Sequence, residues 1–214
     1  IYMNKDYGNV KGFTFSLTKR YDRVTKTSAF IDYTYQLTEG NSVTSGSFYY
    51  NALSGEEEEK RIVPLSWDQR HILNSTVSVG DPGNWNLGLI SKLSSGWPYT
   101  PNIPDANYVP LSNSGRKPWQ WRIDMRLHKN FKVGKFQYIL YTKIYNLLDR
   151  RNERYVFNDT GRAGYTYVSQ STQETKGFVD HYGESGVHTW SEYQVRPQYY
   201  TAPRSINIGF SLDF

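Results

Sequence analysis

Cysteine is absent from all 214 residues, which excludes a disulfide framework and any zinc site built on thiolates. The absence is compatible with passage through an oxidising periplasm and says nothing more about compartment. No apolar run reaches the roughly 18 residues that a membrane helix needs, so transmembrane helices are excluded. Clustered positive charge is also missing. The formal net charge is +5, but Lys and Arg are scattered among strand-like and turn-like segments, which argues against a nucleic-acid interface. Metalloprotease, P-loop, dinucleotide-binding and nucleophile-elbow motifs do not occur, so no enzyme is expected. The histidines, His71, His128, His181 and His188, do not stand at metal-ligand spacing to one another, and neither cofactor nor metal is called for. Repeats and low-complexity tracts are lacking apart from Glu56-Glu57-Glu58-Glu59, which reads as a solvated loop tip.

Aromatic residues, in contrast, are plentiful. They make up 16% of the chain, with 19 Tyr and 6 Trp, the two types that favour a membrane–water interface because ring and polar edge are both satisfied there. A mean hydropathy of −0.70 does not oppose a transmembrane barrel, since half of each strand and all its long loops are polar. The closing stretch carries the clearest message. Ile206, Ile208, Phe210, Leu212 and Phe214 share one parity, and Ser205, Asn207, Gly209, Ser211 and Asp213 share the other. A strand alternates its side chains between two faces, so this segment has one apolar face and one small, polar face. A soluble β-sandwich strand and a lipid-facing barrel strand both fit that pattern, and the other strands decide between them.

Residues 12–20 alternate Phe13, Phe15 and Leu17 against Thr14, Ser16 and Thr18, and a tight turn at Tyr21-Asp22-Arg23 leads to a return strand over 25–37. That strand sets Ala29, Ile31, Tyr33, Tyr35 and Leu37 on one face, with Phe30 the exception on the polar side. A polar loop over about 38–65 follows, then a strand opening at Trp67 and running to about Val79. Asp81-Pro82-Gly83-Asn84 is a short turn, and residues 85–93 return. After a loop over about 94–118, Trp119, Trp121, Ile123, Met125 and Leu127 face one way, while Gln120, Arg122, Asp124, Arg126 and His128 face the other. A soluble sandwich must bury one face and wet the other, and neither of these suits both tasks; lipid outside and water inside satisfy both. Residues 136–148 form the next strand, with Phe136, Tyr138, Leu140 and Ile144 assigned to lipid and Lys143 inward. A long Tyr-rich loop over about 149–202 precedes the last strand. Short turns therefore alternate with long loops, the asymmetry of outer-membrane barrels, which places the turns on the periplasmic side.

Several segments resemble the C-terminal part of the barrel of a TonB-dependent outer-membrane receptor, closest to those of Bacteroidetes-type bacteria. They are Asp68-Gln69-Arg70-His71, Ser95-Gly96-Trp97-Pro98-Tyr99-Thr100-Pro101, Tyr145-Asn146-Leu147-Leu148-Asp149, and the run from Tyr199 to Phe214 with its Pro203-Arg204 and terminal Phe. The resemblance implies an all-β, antiparallel transmembrane barrel of roughly 22 strands, of which residues 1–214 supply about seven C-terminal ones. It also implies a plug domain of the same protein, the TonB complex, the barrel-assembly machinery reading Phe210, Leu212 and Phe214, and in some members a surface lipoprotein. Because the chain opens at Ile1-Tyr2-Met3 without a signal peptide, plug or earlier strands, a C-terminal fragment is expected. A self-contained eight-stranded barrel requires another strand within 150–202, around Tyr155-Val156-Phe157.

Function then reads as outer-membrane, TonB-coupled uptake of a bulky nutrient in a Gram-negative bacterium. Loop residues Trp97, Tyr99, His181, His188 and Trp190 are ligand candidates, and Arg70, Lys92, Arg122, Asp124, Arg126 and His128 line the lumen, where the cations pair with plug or anionic ligand. Asp124 with its flanking arginines reads first as a cross-strand ladder. The competing reading is a soluble or small-barrel, aromatic-rich β-protein that binds carbohydrate. Detergent partition separates the two.

Overall fold

The computed structural model describes residues 7–41, 53, 55, 61–102, 110–167, 192 and 194–213. They form an all-β fold with β1 at Gly8–Asp22, β2 at Thr27–Gly40, β3 at Val63–Pro64, β4 at His71–Asp81 and β5 at Trp85–Ser94. Further on come β6 at Pro98–Tyr99, β7 at Gly115–Arg116, β8 at Gln120–Val133, β9 at Phe136–Tyr145 and β10 at Ser205–Asp213. One eight-stranded antiparallel sheet runs β1-β2-β4-β5-β8-β9-β10, with β3 added beside β2, and β6 pairs with β7 in a separate ribbon. The sheet is open: β1 and β10 are its two edges and do not meet. No helix among the described residues is long and apolar enough to cross a membrane, which says nothing about strands.

Every side chain's face follows from the register, because strand periodicity is two and a paired residue shares its partner's side. Phe15 lies opposite Tyr33, Tyr33 opposite Leu73, Leu73 opposite Leu93, and Leu93 opposite Trp121. Further along, Leu89 lies opposite Met125, Met125 opposite Ile144, and Ile144 opposite Ile206. The apolar parities of the seven meander strands thus fuse into one continuous face. On the reverse side Asn74, Lys92 and Arg122 form one cross-strand row, and Arg126, Lys143 and Asn207 another.

Among the described residues no second layer covers either face, and apart from the ribbon the strands make their main contacts with their neighbours in the sheet. Among the described residues the buried apolar side chains are Val63, Val156 and Ala163, all at the end where the long loops lie, while Phe13 is 60% and Phe210 76% exposed. A sheet normally buries its apolar face against a second layer, and the described residues supply none.

The structure revises several boundaries. β1 begins at Gly8 and ends at Asp22, beyond the 12–20 of the alternation, and β4 starts at His71 rather than Trp67. Just before it, side-chain bonds take over from the ladder: Asp68 accepts the Thr38 N–H of β2, and Gln69 donates to Ser95 O. β3 and the β6–β7 ribbon lie inside what composition marks as loop, adding three short strands to the seven expected, of which β3 joins the main sheet. Around Tyr155-Val156-Phe157 no strand forms; the only pairing nearby is an isolated bridge from Glu153 to Tyr200. β2 also outruns β4: its pairing with β4 stops at Tyr35–His71, while β1 stays with it to Gly40.

Candidate functional site

Two regions collect polar chemistry: the charged face of the sheet, and the loop-bearing end where β2, β5 and β9 finish. On the face, β8 and its neighbours bring together Lys92, Arg122, Asp124, Arg126, His128 and, from β9, Lys143. Alternation within β8 puts Arg122, Asp124 and Arg126 two residues apart on one side, so their charges stack along the strand. Arg122 Nε donates to Asp124 Oδ1 at 2.8 Å, and the same oxygen accepts the Asn146 backbone N–H at 2.8 Å. Arg122 also stands 5.9 Å from the Tyr145 ring centroid, and Lys143 Nζ 5.1 Å from that of Tyr141. Tyr141 in turn covers Gly209 of the edge strand, where an added Cβ would come within 2.5 Å of its hydroxyl. With four cations to one carboxylate, this group is set up for anionic contacts.

Where the face meets the loops, a cleft of about 170 Å³ is lined by Arg122, Tyr145, Asn146, Asn152, Thr201 and neighbours. Asn146 adopts a left-handed backbone (φ 54°), a conformation that Asn tolerates better than most residues. Its amide donates to Arg150 O at 3.1 Å and Ala202 O at 3.0 Å, and its Oδ1 accepts the Arg150 N–H at 3.1 Å. Asp149, also left-handed (φ 52°), accepts the Arg204 N–H at 2.8 Å. Asn-Leu-Leu-Asp is therefore a fastener: two left-handed residues reverse the chain after β9 and tie it to the start of β10. Asn152 imitates a strand neighbour, accepting from Trp121 N and donating to Trp121 O, both at 2.9 Å.

The Asp68-Gln69-Arg70-His71 segment is a second fastener. Asp68 is fully buried, and its carboxylate accepts the Thr38 N–H at 3.0 Å, the Arg116 guanidinium and, at 3.5 Å, Arg70 Nε. Gln69 donates to Ser95 O at 2.9 Å, and the His71 N–H donates to Ser95 Oγ at 3.1 Å. His71 stacks on Trp119 with centroids 5.6 Å apart. One short run thereby joins β2, β4, the end of β5 and β7.

Of the residues singled out in the sequence, Lys92, Arg122, Asp124, Arg126 and His128 share one face, whereas Arg70 precedes β4 and belongs to the Asp68 cluster. Trp97 is exposed, and its carbonyl accepts the Lys117 N–H at 3.0 Å. Tyr99 packs over Gly115, where a Cβ would sit 2.5 Å from its ring, so its contacts are largely internal. Burial, with help from the Asp159 carboxylate, pushes its phenol above the usual tyrosine value. Burial also holds the Lys117 ammonium below the usual lysine value. Phe210 and Leu212 stand on the apolar face of β10; His181, His188, Trp190 and Phe214 lie outside the described residues. Of the cleft residues, Asn152 had no signal in the sequence, and Tyr145 and Thr201 entered only within the Tyr145–Asp149 and Tyr199–Phe214 runs. No group of three or more potential metal ligands occurs among the described residues. The chain matches no family model, no curated protein and no solved structure.

Proposed function

We propose that this chain is part of the wall of a transmembrane β-barrel in a bacterial outer membrane, and that the barrel is a TonB-dependent receptor importing a bulky nutrient. The observation that carries the membrane reading is the uncovered sheet, continuous and apolar on one side, charged on the other. In water such a face forms an apolar patch far larger than soluble monomers tolerate. Lipid covers it without a second layer, and a water-filled lumen solvates the reverse side. The dimensions agree. At about 3.4 Å per residue, Trp121 and Phe131 on the apolar side of β8 are roughly 34 Å apart along the strand, and a tilt of about 45° projects this to roughly 24 Å of membrane.

The receptor reading rests on the resemblance of the two fastener segments and of the closing strand to that family. On it, the open edges of β1 and β10 continue into further strands of the same wall, since unpaired edges in lipid cost several kcal/mol per group. Lys92, Arg122, Arg126 and Lys143 then face a plug or an anionic ligand, and the long loops capture solute outside the cell.

Intact mass and N-terminal sequencing of the protein taken from outer membranes test this reading. A detergent-dependent species several times heavier than 24.9 kDa, with plug sequence upstream, supports it. A mature protein of this size in detergent removes the TonB coupling, and one that stays in the aqueous phase removes the membrane as well.

A further inference from the structure

The end of the sheet that carries the short turns holds a concentration of positive charge. Lys19, Arg20, Arg23 and Lys26 surround the β1–β2 turn, and Lys129, Lys132 and Lys135 surround the β8–β9 turn. The carboxylates at this end are few, and two are already engaged. Asp22 accepts from the Val24 N–H at 3.0 Å and from Thr25 Oγ1 at 2.9 Å; Asp81 accepts the Gly83 N–H at 3.2 Å and lies 3.7 Å from Lys26. A third, Asp213, ends β10. At the opposite end three cations are held in ion pairs, Arg116 and Arg70 on Asp68 and Arg162 in a fork on Glu153 at 2.7–3.2 Å, while Arg150 and Arg151 stand there too.

Two of these lysines show where the apolar zone stops. By register Lys19 and Lys129 stand on the apolar face, at the positions after Leu17 and Leu127. Both ammonium groups turn toward the turns: Lys19 Nζ reaches Thr25 Oγ1 at 3.0 Å and Thr27 Oγ1 at 2.6 Å, and Lys129 Nζ reaches Asn84 Oδ1 at 2.5 Å. This is the behaviour of a long cationic side chain with its stem in hydrocarbon and its head in the polar layer. Trp85, Phe131 and Phe136, exposed at the same level, are suited to that boundary. Beyond it, Arg20, Arg23, Lys132 and Lys135 are exposed.

We infer that the turn end is a collar for acidic phospholipid, gripping anionic headgroups of the leaflet it faces. The inference rests on the membrane reading and not on the receptor one. The headgroup phosphate and its net negative charge complement a cationic rim continuous with the lipid-facing surface, and each cation near such a surface adds to the attraction.

The protein, as purified from membranes, is placed in bilayers of phosphatidylcholine with a minor fraction of phosphatidylglycerol, and lipids retained at its perimeter are counted by native mass spectrometry. Enrichment of phosphatidylglycerol by about threefold or more over its bulk fraction is expected, falling as salt is raised. The enrichment disappears in a variant carrying Arg20→Gln, Arg23→Gln, Lys132→Gln and Lys135→Gln. It persists in one carrying Arg150→Gln and Arg151→Gln at the loop end. Insertion without enrichment, enrichment indifferent to salt, or loss in the loop-end variant instead would overturn the collar alone. A protein that never enters the bilayer overturns the collar and the membrane reading together.

Discussion

Leu127→Arg tests the two-faced wall most directly. Leu127 lies on the apolar face of β8 between the Trp121 and Phe131 levels, and it is 39% exposed in the chain. If that surface met water, the substitution would belong with exposed changes that move stability by no more than about 0.5 kcal/mol. If it meets hydrocarbon, an arginine near the bilayer midplane costs about 2–4 kcal/mol. The comparison is Thr76→Arg, an exposed position on the charged face opposite Ile90, where a water-filled lumen predicts little change. Urea unfolding in lipid vesicles, followed by tryptophan fluorescence, reads the difference. With a slope of about 2 kcal/mol/M, Leu127→Arg lowers the midpoint by roughly 1–2 M and Thr76→Arg by less than about 0.3 M. Equal shifts for the two variants, or none for Leu127→Arg, would refute the assignment of faces.

Three further outcomes follow from the loop end. Asn146→Ala removes three side-chain hydrogen bonds and strains a left-handed residue, costing about 3 kcal/mol, whereas Asn146→Gly keeps the backbone and costs less. Limited proteolysis between 146 and 152 ranks the two. Asp68→Ala leaves Arg116 without its buried partner, which costs about 3 kcal/mol, at the low end for such pairs because Arg116 is partly solvated. Its readout is a lowered thermal midpoint that Arg116→Ala does not lower much further when the two are combined. Tyr99 has a raised phenol pKa in the folded state, so the stability tied to it is complete below the ordinary value of about 10 and is lost as pH rises through the folded value. An alkaline loosening of the loop end, monitored by protease sensitivity, therefore disappears in Tyr99→Phe.

The faces were legible because a strand has a period of two and needs no tertiary information. Trp121, Ile123, Met125 and Leu127 against Arg122, Asp124 and Arg126 could be sorted by parity alone, and even the mixed aromatics of β9 sorted with Lys143 on the side of Arg126. The fasteners were visible as motifs but not as mechanisms. That Asp68 is buried follows from Arg116, 48 residues away, and from the Thr38 N–H, neither of which local spacing reveals. Asn152 had no signal, since an amide that copies a strand edge looks like any loop Asn. Likewise, Tyr99 shares the composition of an exposed ligand contact, and only the glycines beneath it show that its ring points into the protein. The turn-end charge lay in plain view, but scattered through the chain; the meander is what gathers it.

The β1–β2 ribbon is braced at the loop end rather than left to stand alone. From Tyr35, where β4 stops, β2 continues to Gly40, a run of roughly 17 Å at about 3.4 Å per residue, with β1 on one side and β3 joining it on the other at Glu39 and Gly40. The buried Asp68 carboxylate fills the gap between β4 and β3 by accepting the Thr38 N–H. Loss of that carboxylate would therefore loosen the tip of β2 as well as the start of β4.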